Sequence, residues 1–402
     1  MASAEPTKKR LPLAIWTLGF VSLLMDVSSE LVHSLLPIFM VTTLGASTLS
    51  LGFLEGLAEG TAAISKMFSG IISDWLGKRK AMAVLGYGLS AITKPFFPMA
   101  HSVEWVFTAR IIDRVGKGIR GAPRDALIGE ITPPELRGAA YGLRQSLDTV
   151  GAFVGPSAAI LLMILFAGDI RSVFWFATLP AFLCVALLIF GVQEPERKKI
   201  GNGAKFAINK NELKNLGPAY WNIVLIGCVL TLARFSEAFL ILRAQSVGIS
   251  SDWVPSVMVV MSVVYALAAY PAGILSDRMD RRFILMIGTG ILIIADLVLA
   301  FAPSIWGVMV GIGLWGLHMG LSQGLISTLI ADTTPDAWRG TAFGTFNFIS
   351  GFVLLAASAL AGYLWGIYGP EGTFLAGAAF TSLAFAGLIV TQVRKKGPRP
   401  YS

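Results

Sequence analysis

The side chains able to do chemistry lie inside long apolar runs. One run carries Asp26, Ser29, Glu30 and His33, which fall within about a 100° arc of a single helix face. The next carries Glu55, Glu59 and Lys66, again on one face. A third carries Arg110, Asp113, Arg114, Lys117, Arg120, Arg124 and Asp125 within roughly 140° of arc. Arg144 and Asp148 follow at i,i+4, and the second half adds Arg234, Glu237, Arg243 and His318. Carboxylates in such places can take up and release protons, and arginines can grip carboxylate or phosphate. The three histidines, His33, His101 and His318, are dispersed, with no His-Glu-x-x-His pattern. Gly116, Gly118 and Gly121 follow no strand and precede no Lys-Ser pair, so they are not a nucleotide loop.

The elements that position these groups must be membrane helices. Of 402 residues, 55% are hydrophobic and 14% charged, against about 25% charged in ordinary soluble proteins. That composition argues against a soluble enzyme and against disorder. Cys184 and Cys228 sit in apolar runs and read as small buried fillers. Lys8, Lys9 and Arg10 precede a full apolar span with no cleavage site, so no signal peptide is expected. Spans of about 20 residues are expected at 13–40, 48–72, 81–100, 104–129, 136–166, 173–192, 219–247, 254–275, 283–302, 305–330, 338–367 and 373–393, with Pro37, Pro95 and Pro98 as kink sites.

Basic residues set the orientation. Lys78, Arg79 and Lys80, then Arg197, Lys198 and Lys199, then Arg278, Arg281 and Arg282, then Arg394, Lys395 and Lys396 mark alternate loops. The opposite loops hold a single basic residue, Arg171, so both termini are expected in the cytoplasm. These placements account for much of the net charge of +8 without nucleic acid. Asp26, Glu59, Lys117, Arg234 and His318 fall near the midplanes of their spans, whereas Lys66 and Lys94 are near enough to span ends to snorkel.

The chain repeats itself. Gly70-Ile-Ile-Ser-Asp74 returns 203 residues later as Gly273-Ile-Leu-Ser-Asp277. The segment Leu127 to Pro133, leading to Arg137-Gly138, returns 202 residues later as Leu329 to Pro335, leading to Arg339-Gly340. Two parallel six-helix units are therefore expected, 1–192 and 219–402, joined by a cytoplasmic linker at 193–218.

Six plus six helices with Gly-x-x-x-Asp-x-x-Gly-Lys-Arg after the second span resemble the major facilitator superfamily over essentially the whole chain. Asp280 stands where the second copy of the motif would carry its glycine. The resemblance implies an all-α membrane protein of twelve transmembrane helices in two bundles, without a cofactor or resident metal. It also implies gating by Asp74, Gly77 and Arg79, and by Asp277. In span five, Gly142, Gly151, Gly155 and Pro156 resemble the helix-packing motif of antiporter-type exporters, with Ala159 replacing its last glycine. Small residues there also let backbones approach closely. Arg110 stands where the superfamily often has an arginine, but Asp113 and Arg114 replace the usual Gln-Gly pair after it.

The expected function is a proton-coupled secondary transporter working by alternating access. It would act as an exporter of a small organic anion or zwitterion. Asp26, Glu30 and Glu59 are the proton-coupling candidates. Arg110, Arg114, Lys117, Arg234, Glu237 and His318 are the substrate-binding candidates. Glu55, Asp113, Arg120, Arg124, Asp125, Arg144 and Asp148 are expected to form structural ion pairs. Divalent-metal export through Asp26, Glu30, His33 and Glu59, and uptake of a metal chelate or organic acid, remain open alternatives, and an intramembrane enzyme is disfavoured. The expected setting is the cytoplasmic (inner) membrane of a bacterium, as a multi-pass monomer in contact with lipid, protons and a small-molecule substrate, with no nucleic acid.

Overall fold

The structure, a computed structural model, describes residues 11–194, 216–335 and 338–396. Most of the expected linker lies outside the described residues, as do the side chains of Asp74, Asp277 and Arg339. Among the described residues there is no strand; the chain runs from helix to helix.

The first half comprises α1 (Leu13–His33), α2 (Thr48–Leu76), α3 (Arg79–Thr93), α4 (Val103–Ile131), α5 (Arg137–Leu165) and α6 (Ile170–Gly191). The second comprises α7 (Pro218–Ala233), α8 (Ala238–Ser246), α9 (Ser256–Arg278), α10 (Arg281–Phe301), α11 (Ile305–Thr333) and α12 (Arg339–Lys396). Gly369, at φ 71° and followed by Pro370, breaks α12 in two. Short helical turns, Leu36–Ile38 and Phe39–Thr43, prolong α1 past an interruption just before Pro37.

Eight helical runs among the described residues are long and apolar enough to cross a membrane. α2, α3 and α4 do not meet that test. The first and last of these carry the charge stripes, and α3 has only 15 residues. Span three was expected to reach Ala100, but helix gives way at Lys94–Phe96, beside Pro95.

Local chemistry explains the helix ends. The hydroxyl of Ser102 accepts the amide of Trp105 at the start of α4. Ser304, 202 residues on, accepts that of Gly307 at the start of α11. Each satisfies an amide that the first helical turn leaves without a partner. Asp169 caps α6 by accepting the amides of Arg171 and Ser172, and the Ser172 hydroxyl holds its carboxyl below the ordinary value. The repeated loop is closed differently in the two halves. Gly77 ends α2 in the left-handed region at φ 65°, which costs glycine little. In the second half Asp280 caps α10 through the amide of Arg282, which explains an aspartate where the motif would carry glycine.

Within the first half α1 packs on α5 and α6, and α3 on α4. Within the second, α10 packs on α11 and α12, and α9 on α11. The halves meet where α2 lies along α12 and α5 along α9.

Span seven, expected at 219–247, runs over Pro218–Ser246 but is built of two helices: α7 stops at Ala233 and α8 starts at Ala238. The intervening Arg234, Phe235, Ser236 and Glu237 are the polar interruption of an apolar run. The freed amide of Ser236 is taken by the Ser358 hydroxyl at 3.2 Å. Broken helices at membrane depth are tolerated where the exposed backbone finds partners or lines a cavity.

Candidate functional site

A cavity of about 370 Å³ lies between the halves. The first half contributes Glu30, His33, Glu55, Glu59, Arg114 and Lys117 to its wall. The second contributes the break in span seven, Arg234 to Glu237, together with Trp315, Met319 and Gln323 of α11 and Leu354 of α12.

On the first-half wall the charges form a chain. Glu30 Oε2 lies 3.3 Å from Nδ1 of His33. Nε2 of the same ring lies 3.6 Å from Glu55 Oε2. That oxygen accepts Nη2 of Arg110 at 3.0 Å, and Glu55 and Arg110 are each 1% exposed. Alongside, Arg114 pairs with Glu59 at 3.1 Å. One imidazole thus bridges two carboxylates of the cavity wall, Glu30 and the nearly inaccessible Glu55. Such a bridge can pass a proton between its two nitrogens, since either can donate or accept.

Asp26, expected to share this face, stands apart from the cavity wall. Among the described residues it forms no hydrogen bond or ion pair, and its electrostatic neighbours are Asp148, Arg120, Glu30 and Arg124. It shares a packing seam with the glycines of α5. A methyl on Gly151 would come within 2.9 Å of Asp26 Cβ, and one on Gly155 within 2.9 Å of Glu30 Cβ. Gly142, singled out in the same pattern, has nothing within 4 Å and does not take part in that seam. Gly116 and Gly118 are contact points too: the first presses on Gly86 of α3, the second on Ala62 and Ser65 of α2.

Of the groups expected to form structural ion pairs, all but Arg120 do so. Asp113 accepts Lys94 Nζ at 3.0 Å, Arg124 holds Asp125 at 3.0 Å, and Arg144 pairs with Asp148. Arg120 donates to the Ser90 hydroxyl at 2.8 Å and lies over the Tyr87 ring. Lys94 does not snorkel. It is 1% exposed, because Asp113 and the Ser29 hydroxyl give it a polar niche inside the bundle.

In the second half Arg234 has no carboxylate partner among the described residues. Its Nε donates to His318 Nε2 at 2.7 Å, and its Nη2 to the Ser322 hydroxyl. His318 Nδ1 lies 2.7 Å from the Gly288 carbonyl, so its proton sits on Nδ1 and its Nε2 lone pair faces the guanidinium. Glu237 and Lys117 have no hydrogen bond or ion pair among the described residues. Arg243, by contrast, is consumed by the carbonyls of Leu299 and Ala302 at the end of α10. A further carboxyl escaped sequence reading. Asp296 of α10 is fully buried, both its oxygens lack hydrogen-bond partners among the described residues, and Gly377 of α12 makes room for it. Among the described residues, no three His, Cys, Asp or Glu side chains gather as a metal site.

α2 packs directly on α12 from its Thr48 end onward. Thr48 Oγ1 donates to the Gly362 carbonyl at 3.0 Å, and a methyl on Gly56 would meet the Leu355 backbone at 2.7 Å. At the end bearing the repeated loops, a methyl on Gly142 of α5 would have nothing within 4 Å. There Arg79 pairs with Glu130 at 2.9 Å, and 202 residues later Arg281 pairs with Asp332 at 2.7 Å.

The sequence model of the Major Facilitator Superfamily matches residues 18–243 and 223–401. The chain is 32% identical over 376 residues to an uncharacterised MFS-type transporter of Methanocaldococcus jannaschii, covering 92% of each chain. It is 24% identical over 401 residues to the inner membrane transport protein YajR of Escherichia coli, covering 96% of this chain and 84% of that one. Among solved structures, the nucleoside transporter NupG superposes with a TM-score of 0.73 at 16% identity, covering 96% of this chain and all of the other. A bacterial homologue of the lysosomal transporter Spinster, inward-facing and occupied, gives 0.77 at 16% identity over 98% of this chain and all of the other. With two internally repeated halves around a charged cavity and the family matched from end to end, the chain belongs to the major facilitator superfamily of multi-pass membrane transporters.

Proposed function

We propose that the protein is a proton-coupled exporter of a small organic anion or zwitterion, working by alternating access in the cytoplasmic membrane of a bacterium. The observation that carries this reading is the chain Glu30–His33–Glu55–Arg110, which starts at the cavity wall and ends in the buried interior. A group that binds substrate on one face and exchanges protons on the other can couple the two. Glu30 and Glu59 take the proton-handling role at the wall. Asp26, free of any ion pair, takes it behind the wall.

The basic loops favour a cytoplasmic setting for the end of the molecule that bears the repeated loops. Asp74 and Asp277 take gating roles at that end, working with Arg79 and Arg281. Gly151 and Gly155 support the exporter reading through the seam they form with α1, because the helix they pack carries the coupling carboxylates.

The test is a substrate screen in proteoliposomes with an imposed pH gradient, reading flux in both directions. Substrate-dependent proton movement opposite in sense to substrate supports the reading. Substrate movement indifferent to the gradient, or movement in the same direction as protons, contradicts it.

A further inference from the structure

The charges facing the cavity sort into those already spoken for and those that are not. Glu30 is engaged by His33, Glu55 by Arg110, and Glu59 by Arg114. Three groups remain. Lys117, on α4, faces the cavity with no partner among the described residues. Across from it, at the break in span seven, Arg234 is bonded only to neutral groups, and Glu237 three residues later has no partner. Two cations and one anion thus line the cavity without an ion pair among the described residues, at membrane depth, where unpaired charges are expensive.

We infer that the occupant is a small zwitterion, with its carboxylate between Lys117 and Arg234 and its ammonium on Glu237. The inference rests on the transport reading above and narrows its substrate class. An anion would neutralise the cations but leave Glu237 facing more negative charge. A cation would satisfy Glu237 and leave Lys117 and Arg234 repelling it. Only a molecule with both signs a few ångströms apart satisfies all three groups. Arg234 is built for the role. His318, with its proton committed to the Gly288 carbonyl, accepts Arg234 Nε and thereby fixes the plane of the guanidinium. His318 is therefore a positioning residue.

The remaining walls set the size and polarity of the occupant. Trp315 and Phe235, with ring centroids 5.5 Å apart, present an apolar surface beside the charges. A cavity of about 370 Å³ is near the lower end of the roughly 300–1,000 Å³ of ligand sites. A primary amino acid with an apolar side chain has the required charges, span and bulk.

The test uses purified full-length protein in detergent and thermal-shift titration. The probes are L-alanine, L-leucine and L-phenylalanine, each beside its amide, which is cationic, and its N-acetyl derivative, which is anionic. The expected result is that at least one amino acid binds about tenfold more tightly than both of its derivatives. Glu237→Gln should then lower its affinity to that of the N-acetyl form. Lys117→Met should lower it towards that of the amide. Lys117 forms no ion pair among the described residues, so Lys117→Met serves as the second variant if Glu237→Gln is unstable. The proposal is overturned if none of the three amino acids binds, or if an amide or N-acetyl form binds as tightly as its parent. Proton movement driven in proteoliposomes by other compounds would then keep the transport reading while this inference falls.

Discussion

Gly155 of α5 stands so close to Glu30 of α1 that a single added methyl would lie 2.9 Å from Glu30 Cβ and 2.8 Å from the Val27 carbonyl. A small-residue pattern legible in the sequence is therefore the mould for a carboxylate on the cavity wall. Gly151 does the same for Asp26 one turn away. The chemistry on α1 and the packing of α5 are one feature.

Gly155→Ala should force α1 and α5 apart, since the nearest atom is backbone and cannot swing away. Overpacking of this kind costs about 1–3 kcal/mol, read as a fall in thermal unfolding temperature in detergent. Gly142→Ala, where nothing lies within 4 Å, should leave that temperature unchanged or raised. Equal effects of the two changes would show that the seam is not where stability is held.

Glu55 and Arg110 form an ion pair at 3.0 Å with each side chain 1% exposed. Glu55→Gln or Arg110→Met alone should strand the other charge and cost about 3–5 kcal/mol, seen as poor folding and low yield of monodisperse protein. The double change should restore folding while abolishing transport. Single variants as stable as the parent would show that water or another group compensates the survivor.

Asp296 is buried, and neither of its oxygens has a hydrogen-bond partner among the described residues. An amide of the same shape carries no charge to desolvate. Asp296→Asn should therefore keep or raise thermal stability. A loss of stability comparable to that of the Glu55 single variant would reveal a cationic partner for this carboxyl.

Much of this architecture was written in the sequence. The repeats at offsets of 202 and 203 have counterparts in the structure: paired serine caps, Ser102 and Ser304, and paired ion pairs, Arg79–Glu130 and Arg281–Asp332. Only part of each charge stripe reaches the cavity wall: Arg114 and Lys117 line it, whereas Asp113, Arg120 and Arg124 find partners inside the bundle. What stayed hidden depended on partners from distant elements. Lys94 looked free to reach the membrane surface until Asp113 and Ser29 closed around it. The break at Arg234 to Glu237 carries no proline or glycine, and its visible signal was four residues of mixed polarity in an apolar run. Asp296 was overlooked in a helix that is otherwise apolar, and only the packing of Gly377 shows how it is accommodated.

The central claim, that proton movement is coupled to substrate through the carboxylates of α1, is tested most directly at Asp26, which has no ion-pair partner to strand. Wild-type protein and Asp26→Asn would be reconstituted side by side. Gradient-driven accumulation and gradient-free exchange of the same substrate would then be measured. The account predicts a folded variant that exchanges substrate at near the wild-type rate but no longer concentrates it when a pH gradient is imposed. A folded Asp26→Asn that still accumulates substrate against its gradient would contradict it.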